Sequence, residues 1–269
     1  MDCPLCDSDE CEIFRLNTCI VNQCKQCSLQ FIDEENDIEK SDYLKRYSKS
    51  RKEDSELSRL RKIQYNLDIE HLKKNISKGN VLDVGCSTGI FLDSFDTESN
   101  FNLYGIDIDG DAIRIAKNKC NQKINFLKTD LINFETNLKF DCIVFRGSFQ
   151  FLGNDLRKTM ERISDLSSHN SKIVIYSLPN SDSILYYLLK DGWHLFDKFS
   201  HTLIFNRRSI MELCKKFNYR ILECSYPYIE TPYANMNKDY EKLIKLIKFG
   251  EKDSFPFWGN IMQLVLEKK

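Results

Sequence analysis

The stretch VLDVGCSTG at residues 81–89 decides the fold. The apolar run at 81–84 predicts a buried β-strand, and Gly85 and Gly89 predict a tight turn directly after it. The segment 90–95 predicts a helix on the far side of that turn. A strand, a glycine turn and a helix in this order form the usual ligand-binding site of a parallel α/β sheet. The backbone amides at the start of the helix point at the bound molecule.

The segments around this turn alternate between short apolar runs and amphipathic stretches. The alternation predicts an α/β fold, a doubly wound parallel sheet with helices on both faces. Two late apolar runs, 221–224 and 261–266, are expected to close one edge of the sheet. The predicted strands are 81–84, 103–107, 124–127, 142–145 and 173–176, and the predicted helices are 90–95, 111–119, 155–167, 183–189 and 208–217.

Three acidic residues lie where successive strands end. Asp83 begins the glycine turn, Asp107 ends the second strand, and Asp130 follows the third. A carboxylate at Asp107 can accept hydrogen bonds from ribose hydroxyls, and Asp130 can accept from an exocyclic adenine amine. NAD would need the G-x-G-x-x-G spacing for its pyrophosphate, which the turn lacks. S-adenosylmethionine instead brings an ammonium and a sulfonium, which Asp83 attracts, so the charges favour this methyl donor.

A second motif lies near the N-terminus, where four cysteines form two C-x-x-C pairs. Cys3 and Cys6 form the first pair and Cys24 and Cys27 the second, with 17 residues between the pairs. Two tight turns of this kind predict a tetrahedral Zn²⁺ site. Four thiolates leave no open position for water, so the zinc is expected to be structural. A redox pair or simple packing is the alternative for these cysteines.

The chain is expected to divide into a zinc ribbon at 1–32, a linker with a leading amphipathic helix at 33–76, and a main domain at 77–269. The helix is predicted over 56–76. Residues 40–62 contain nine Lys or Arg and four Asp or Glu, which indicates either a solvated helix face or a surface that contacts phosphate. The apolar positions predicted to face the main domain are Leu60, Ile63, Leu67, Leu72 and Ile76.

The composition argues against several classes of protein. The 269 residues contain 39 Lys and Arg and 40 Asp and Glu, so the basic excess of a typical nucleic-acid-binding protein is absent. No apolar run reaches the roughly 18 residues of a membrane-spanning helix, and the N-terminus lacks the pattern of a secretory signal. We therefore expect a cytoplasmic protein with no membrane span.

The motifs of the main domain, in this order, resemble those of class I S-adenosylmethionine-dependent methyltransferases. The resemblance rests on VLDVGCSTG at 81–89, YGID at 104–107, Asp130 and FDCIVF at 140–145, and it covers most of residues 79–225. It departs at Ser87, where the family usually has the middle glycine of D-x-G-x-G-x-G. The resemblance implies a Rossmann-like seven-stranded sheet whose last strand is antiparallel. It also implies a binding site for the methyl donor formed by Asp83, Gly85, Ser87, Gly89, Asp107, Asp130 and Arg146.

A narrower resemblance points to a subgroup with an N-terminal zinc ribbon, common among enzymes of sugar, surface-glycan and natural-product biosynthesis and including sugar C-methyltransferases. Its markers here are the ribbon followed by Tyr43 and Tyr47, RGSFQ at 146–150, LPNSDS at 178–183, Trp193, His201 and FPFWGN at 255–260. It implies a small-molecule acceptor such as a nucleotide-linked sugar. The aromatic segment 255–258 is expected either to pack in the core or to form an apolar wall over that acceptor.

Methyl transfer needs a base only where the acceptor is a poor nucleophile. His201 is the first candidate, and Gln150 and Tyr226 are the further candidate catalytic residues, with Gln150 placed to orient the acceptor. The alternative for His201 is a structural hydrogen bond, and the alternative for Gln150 is a surface amide.

Two other functions are considered. The first is an RNA methyltransferase that uses the ribbon and the basic stretch 40–62 to bind phosphate, although the neutral overall charge argues against nucleic acid as a partner. The second is a non-catalytic interaction protein that binds S-adenosylmethionine, because a fold alone does not guarantee activity.

Overall fold

The computed structural model describes residues 2–16, 19–32, 55–96, 100–152, 156–193, 195, 203–251 and 255–269. Within these residues the chain forms a seven-stranded sheet and a four-stranded sheet. Tyr43, Tyr47 and His201 lie outside the described residues. Among the described residues, no helix combines the length and the apolar character that crossing a membrane requires.

The seven-stranded sheet has the predicted α/β topology. Its strands are β4 (Gly79–Val84), β5 (Phe101–Asp107), β6 (Asn125–Lys128), β7 (Phe140–Arg146), β8 (Ser167–Pro179), β10 (Tyr219–Ser225) and β11 (Ile261–Lys268). They lie in the order β10-β11-β8-β7-β4-β5-β6. Strands β4 to β8 pair in parallel, and β11 pairs antiparallel with both β8 and β10, which confirms the predicted antiparallel last strand.

Helices cover both faces of this sheet because side chains alternate between faces along each strand. On β7, Ile143 and Phe145 pack into one core cluster, whereas Cys142 and Val144 pack into the other. The described helices are α1 (Ser55–Asn75), α2 (Ile90–Asp93), α3 (Gly110–Lys119), α4 (Leu156–Leu166), α5 (Ile184–Leu189), α6 (Arg207–Lys216) and α7 (Met236–Phe249). Helices α4 and α6 contribute to the first cluster, and α1, α2 and α3 to the second.

Several predicted boundaries differ from the structure. The helix predicted over 155–167 ends at Leu166, because Ser167 already begins β8. Strand β8 is much longer than the predicted 173–176, and α7 was not predicted.

The predicted apolar face of α1 is partly wrong. Ile63 and Leu67 are each 38% exposed, whereas Ile69 and Leu72 are buried together with the acidic Asp68. The helix therefore turns a polar residue toward the main domain.

The N-terminal ribbon forms its own small sheet from β1 (Cys11–Arg15), β2 (Ile20–Cys24), β3 (Gln30–Ile32) and β9 (Leu203–Ile204). Strand β9 lies much later in the chain than the other three strands, and it pairs antiparallel with β3. Leu5, Leu29 and Phe31 of the ribbon are buried in the same core cluster as α4 and α6. The ribbon is therefore packed against the main domain, and the predicted division at residue 32 separates residues that share a sheet and a core.

Candidate active site

The glycine turn between β4 and α2 has no room for side chains at its two glycines. Gly85 and Gly89 have φ angles of 82° and 79°, which favour glycine. A Cβ atom at Gly89 would lie 2.6 Å from Cζ of Phe126, and one at Gly85 would lie 2.8 Å from Cβ of Ser148. Ser87, the residue that departs from the family pattern, also has a positive φ of 51°. The backbone at Ser87 thus adopts the positive φ that a glycine at this position would favour.

Asp107 holds this turn against the end of β5. Its Oδ2 accepts a hydrogen bond from the amide of Ser87 at 2.8 Å, and its Oδ1 accepts one from the amide of Asp109 at 2.8 Å. Asp107 therefore helps to shape the turn, and its role toward ribose hydroxyls remains a prediction.

Asp130 lies after β6 and caps a short turn. Its Oδ1 accepts from the backbone amide of Asn133 at 2.8 Å, and both of its oxygens accept from the Asn133 side chain. These bonds fix the carboxylate at the edge where the adenine amine is predicted. Its role toward an adenine remains a prediction.

Asp83 is the buried acidic group of the site. It is 2% exposed, and its Oδ1 has no hydrogen-bond partner within the described part of the chain. Burial raises its pKa to about 7, the nearby Asp107 adds to the rise, and the guanidinium of Arg146 opposes it. A buried carboxylate with an unpartnered oxygen favours a cationic ligand, so Asp83 together with the glycine turn fits S-adenosylmethionine.

Arg146 ends β7 and pairs with a residue that the sequence analysis missed. Its Nε donates to Oδ2 of Asp68 at 2.8 Å, and its guanidinium lies 4.1 Å from the ring centroid of Tyr65. The Asp68 Oδ1 accepts from Nε2 of Gln64 at 2.8 Å. Burial raises the pKa of Asp68, although Arg146 and Gln64 counteract this. The pair connects α1 to the carboxyl end of the sheet, next to the glycine turn.

A chain of hydrogen bonds extends from Asp68 behind this pair. The hydroxyl of Tyr176 donates to the Asp68 carbonyl at 2.7 Å, and its oxygen lies 3.0 Å from Nδ1 of His71. Nε2 of His71 donates to Glu223 at 2.8 Å. Burial raises the pKa of Glu223, but hydrogen bonds from His71 and Ser225 lower it overall.

A cavity of about 270 Å³ lies next to Asp68. It is bounded by α1, by the end of β8, by the segment after β10 and by the residues that lead into β11. Most of its surface is apolar. Its lining residues are Gln64, Asp68, Tyr176, Ser177, Leu195, Pro227, Tyr228, Thr231, Tyr233, Pro256, Phe257, Asn260, Ile261 and Gln263.

The cavity adjoins the predicted donor site because Arg146 and Tyr176 are partners in the pairing of β7 and β8. In parallel sheets, ligands bind beyond the carboxyl ends of the strands. The geometry therefore provides one position for a nucleoside at β4 and β5 and a second position for another molecule at β8 and β11.

Two of the predicted catalytic residues are described, and neither lines this cavity. Gln150 is buried, and its Nε2 donates to the carbonyl of Gly147 at 3.0 Å, which closes the loop after β7. Burial raises the pKa of Tyr226 to about 12, so this phenol is protonated at neutral pH. Asp68 and Tyr176 line the cavity instead. No sequence pattern indicates a role for Asp68, because an acidic residue in a helix rich in charged residues is typical of a solvent-exposed position.

The four predicted zinc ligands lie together. The sulfurs of Cys3, Cys6, Cys24 and Cys27 all lie within 4.8 Å of one another. The Sγ atoms of Cys3 and Cys27 are 3.5 Å apart, and those of Cys6 and Cys24 are 3.4 Å apart. Tetrahedral Zn²⁺ with bonds of about 2.3 Å would separate sulfurs by about 3.8 Å. The donor set and its spacing therefore fit a structural zinc ion.

Comparisons with known proteins agree with this fold and site. A family described as "Methyltransferase domain" matches residues 51–224. A malonyl-[acyl-carrier protein] O-methyltransferase from Ilyobacter polytropus is 23% identical over 220 residues, which cover 70% of this chain and 80% of that protein.

Among solved structures, the N-methyltransferase NodS from Bradyrhizobium japonicum aligns with a TM-score of 0.52 at 14% identity, over 80% of this chain and 98% of NodS. NodS in complex with S-adenosyl-L-homocysteine aligns with a TM-score of 0.51 at 13% identity, over 78% of this chain and 87% of NodS. With the glycine turn, the buried Asp83 and the family match over residues 51–224, the chain belongs to the methyltransferase-domain family as a class I S-adenosylmethionine-dependent methyltransferase.

Proposed function

We propose that this methyltransferase acts on a small hydroxylated molecule, a nucleotide-linked sugar or a surface-glycan unit. The observation that supports it is the cavity beside Asp68, whose walls combine aromatic rings with side-chain amides. A sugar ring can stack its C–H face on an aromatic ring and direct its hydroxyls at amide groups. A pocket of this size suits one ring of a small molecule.

The methyl donor is proposed to bind at the glycine turn. S-adenosylmethionine supplies a methyl group activated by a positively charged sulfur. Asp83 provides the buried negative charge toward that cation, and Asp107 and Asp130 are the proposed acceptors for ribose and adenine. Arg146 is proposed to act mainly through Asp68, because its Nε already donates to that carboxylate.

The remaining work of the protein is alignment and proton transfer. A displacement reaction needs the acceptor atom in line with the methyl group, and residues of α1 and of the segment before β11 line the cavity that is proposed to hold the acceptor. Asp68 is the proposed proton acceptor for a hydroxyl, since it lines the cavity and burial raises its pKa. Roles for His201, Gln150 and Tyr226 remain predictions.

The ribbon is proposed to bind structural Zn²⁺ through Cys3, Cys6, Cys24 and Cys27. Its place in the fold supports this role. Lys216 of α6 donates to the carbonyl of Leu5 at 2.6 Å and pairs with Asp7 at 2.8 Å. Zinc would thus fix a module that contributes to the core of the catalytic domain.

A carboxylate acceptor is the second candidate, because the Ilyobacter relative is named as a malonyl-[acyl-carrier protein] O-methyltransferase. A screen with methyl-labelled S-adenosylmethionine separates the two candidates. The arms are a panel of nucleotide-linked hexoses, a malonyl-loaded carrier protein and total RNA. We expect label on a nucleotide-linked hexose. Label on the malonyl carrier or on RNA, with every hexose unlabelled, would contradict the proposed acceptor.

A further inference from the structure

Two residues that line the cavity each hold a buried side-chain acceptor oxygen that has no donor within the described residues. The two oxygens are Oδ1 of Asn260, a residue that is 3% exposed, and Oε1 of Gln64. Both residues line the cavity, one from the turn before β11 and the other from α1. A buried acceptor without a partner costs about 1–3 kcal/mol, so two of them in one cavity point to a ligand that supplies donors.

The orientation of each amide is fixed by its own nitrogen. Nδ2 of Asn260 donates to the carbonyl of Phe255 at 3.1 Å, which leaves Oδ1 as the unpartnered atom. Nε2 of Gln64 donates to Asp68 at 2.8 Å, which likewise leaves Oε1. Neither amide can turn to offer its nitrogen to a ligand without breaking that bond.

The turn that carries Asn260 is itself held in place. The backbone amide of Asn180, directly after β8, donates to the carbonyl of Asn260 at 3.0 Å, and its Nδ2 donates to the carbonyl of Gly259 at 2.7 Å. These bonds tie the turn to the end of the central sheet. The Asn260 oxygen is therefore positioned before any ligand arrives.

Three other polar groups of the cavity already form hydrogen bonds within the protein. The Tyr228 hydroxyl donates to Asp239 at 2.7 Å, the Thr231 hydroxyl donates to the Tyr228 carbonyl at 2.7 Å, and the Tyr176 hydroxyl donates to the Asp68 carbonyl. Beside them, the rings of Tyr228 and Phe257 are 5.8 Å apart and form an aromatic wall. The residues that line the cavity thus combine an aromatic wall with two acceptor oxygens, of Asn260 and Gln64, that have no partner within the described residues.

We infer that this cavity is the acceptor subsite and that it selects an uncharged ring carrying at least two hydroxyl or amine donors, one bound by Asn260 and one by Gln64. The inference rests on the proposed function and narrows its substrate class. A carboxylate placed there would meet two amide oxygens and the Asp68 carboxylate, all of which repel it. The same cavity therefore rejects a free carboxylate.

The test measures direct binding, so it does not depend on knowing the natural acceptor. The protein saturated with S-adenosylhomocysteine is titrated with phenyl β-D-glucoside, benzoate or toluene, and binding is followed by ligand-observed NMR. The glucoside offers a ring with several hydroxyl donors, benzoate offers a charged acceptor, and toluene offers only apolar surface. We expect the glucoside to bind more tightly than benzoate by at least about tenfold.

Two variants test whether glucoside binding depends on Oδ1 of Asn260 and Oε1 of Gln64. Asn260→Leu and Gln64→Met each remove one free acceptor and are expected to weaken glucoside binding by about tenfold or more. Gln122→Met makes the same amide-to-thioether change on the surface and should leave binding unchanged. Calorimetry with S-adenosylhomocysteine shows whether each variant is folded, and the less buried Gln64 provides the test if Asn260→Leu is not.

Tighter binding of benzoate, or unchanged glucoside binding in both folded variants, would overturn the inference. In that event the acceptor screen still decides the proposed function, because it detects transfer to a sugar at any position in the protein. Failure of the screen with the expected glucoside binding would instead reject the proposed function alone.

Discussion

Asp83→Asn is expected to weaken S-adenosylmethionine binding at pH 7.5 by about 10- to 100-fold, because a charge-assisted interaction contributes about 1.5–3 kcal/mol. The substitution removes the buried negative charge that is proposed to face the cationic donor, while preserving the shape of the side chain. The same substitution is expected to stabilise the unliganded protein. A buried carboxylate without a hydrogen-bond partner for Oδ1 opposes folding when it is ionised.

The pH dependence of the stability of the unliganded protein provides the control. The pKa of Asp83 is about 7 in the folded protein and about 4 in an unfolded chain. Between these values the folded state holds a proton that the unfolded state has lost, so the stability contributed by Asp83 is present below about pH 4 and disappears as the pH rises through 7. The melting temperature of Asp83→Asn should therefore exceed that of the unsubstituted protein by a margin that grows up to pH 7.

Ligand binding should show the opposite trend. Affinity for the cationic donor should rise from pH 5 to pH 7 in the unsubstituted protein, as Asp83 becomes ionised, and this rise should be absent in Asp83→Asn. Calorimetry between pH 5 and pH 7 measures the affinity of both proteins for the donor. Equal affinity of the two proteins at pH 7.5 would exclude Asp83 as the partner of the donor.

Loss of the proposed zinc ion is expected to have the second large effect. Cys24→Ser removes one of four sulfurs that lie within 4.8 Å of one another. Structural zinc contributes about 10–16 kcal/mol to the folding of small zinc modules. In this chain the ribbon also supplies Leu5 and Phe31 to the main core. We therefore expect the variant to bind no zinc and to melt at least about 10 °C lower, which corresponds to a loss of about 5 kcal/mol.

Cys11→Ser is the matched control. Cys11 lies in the same ribbon and is half-buried, but it does not belong to the four-sulfur group. This variant should retain one zinc per chain and melt close to the unsubstituted protein. Metal analysis by mass spectrometry and scanning calorimetry make the comparison. Zinc-free purified protein with a normal melting temperature would show that the cysteines pack without metal.

The sequence predicted the parts of the fold that depend on local patterns. Strand β4, the glycine turn and Asp107 follow from hydrophobic periodicity and turn chemistry, which act over a few residues. The cysteine spacing likewise predicted a cluster whose four sulfurs the structure brings together. The resemblance to a known family added the antiparallel last strand, which periodicity alone does not reveal.

The cavity beside Asp68 could not be predicted because its residues meet only in the tertiary structure. Asp68 and Arg146 are 78 positions apart, and each is an ordinary charged residue in its own segment. The apolar positions Ile63 and Leu67 predicted the wrong face for α1, since the pairing of Asp68 with Arg146 turns a carboxylate inward instead. The pairing of β3 with β9 joins residues more than 170 positions apart, which no local pattern indicates.

The most direct test of the donor site compares two glycine variants by calorimetry with S-adenosylmethionine. Gly89 and Gly250 both have a positive φ, but a Cβ atom at Gly89 would lie 2.6 Å from Phe126, whereas one at Gly250 meets nothing within 4 Å. The account predicts one binding site per chain in the unsubstituted protein and in Gly250→Ala, and loss of binding in Gly89→Ala. Binding of equal strength in both variants, or no binding by the unsubstituted protein, would contradict it.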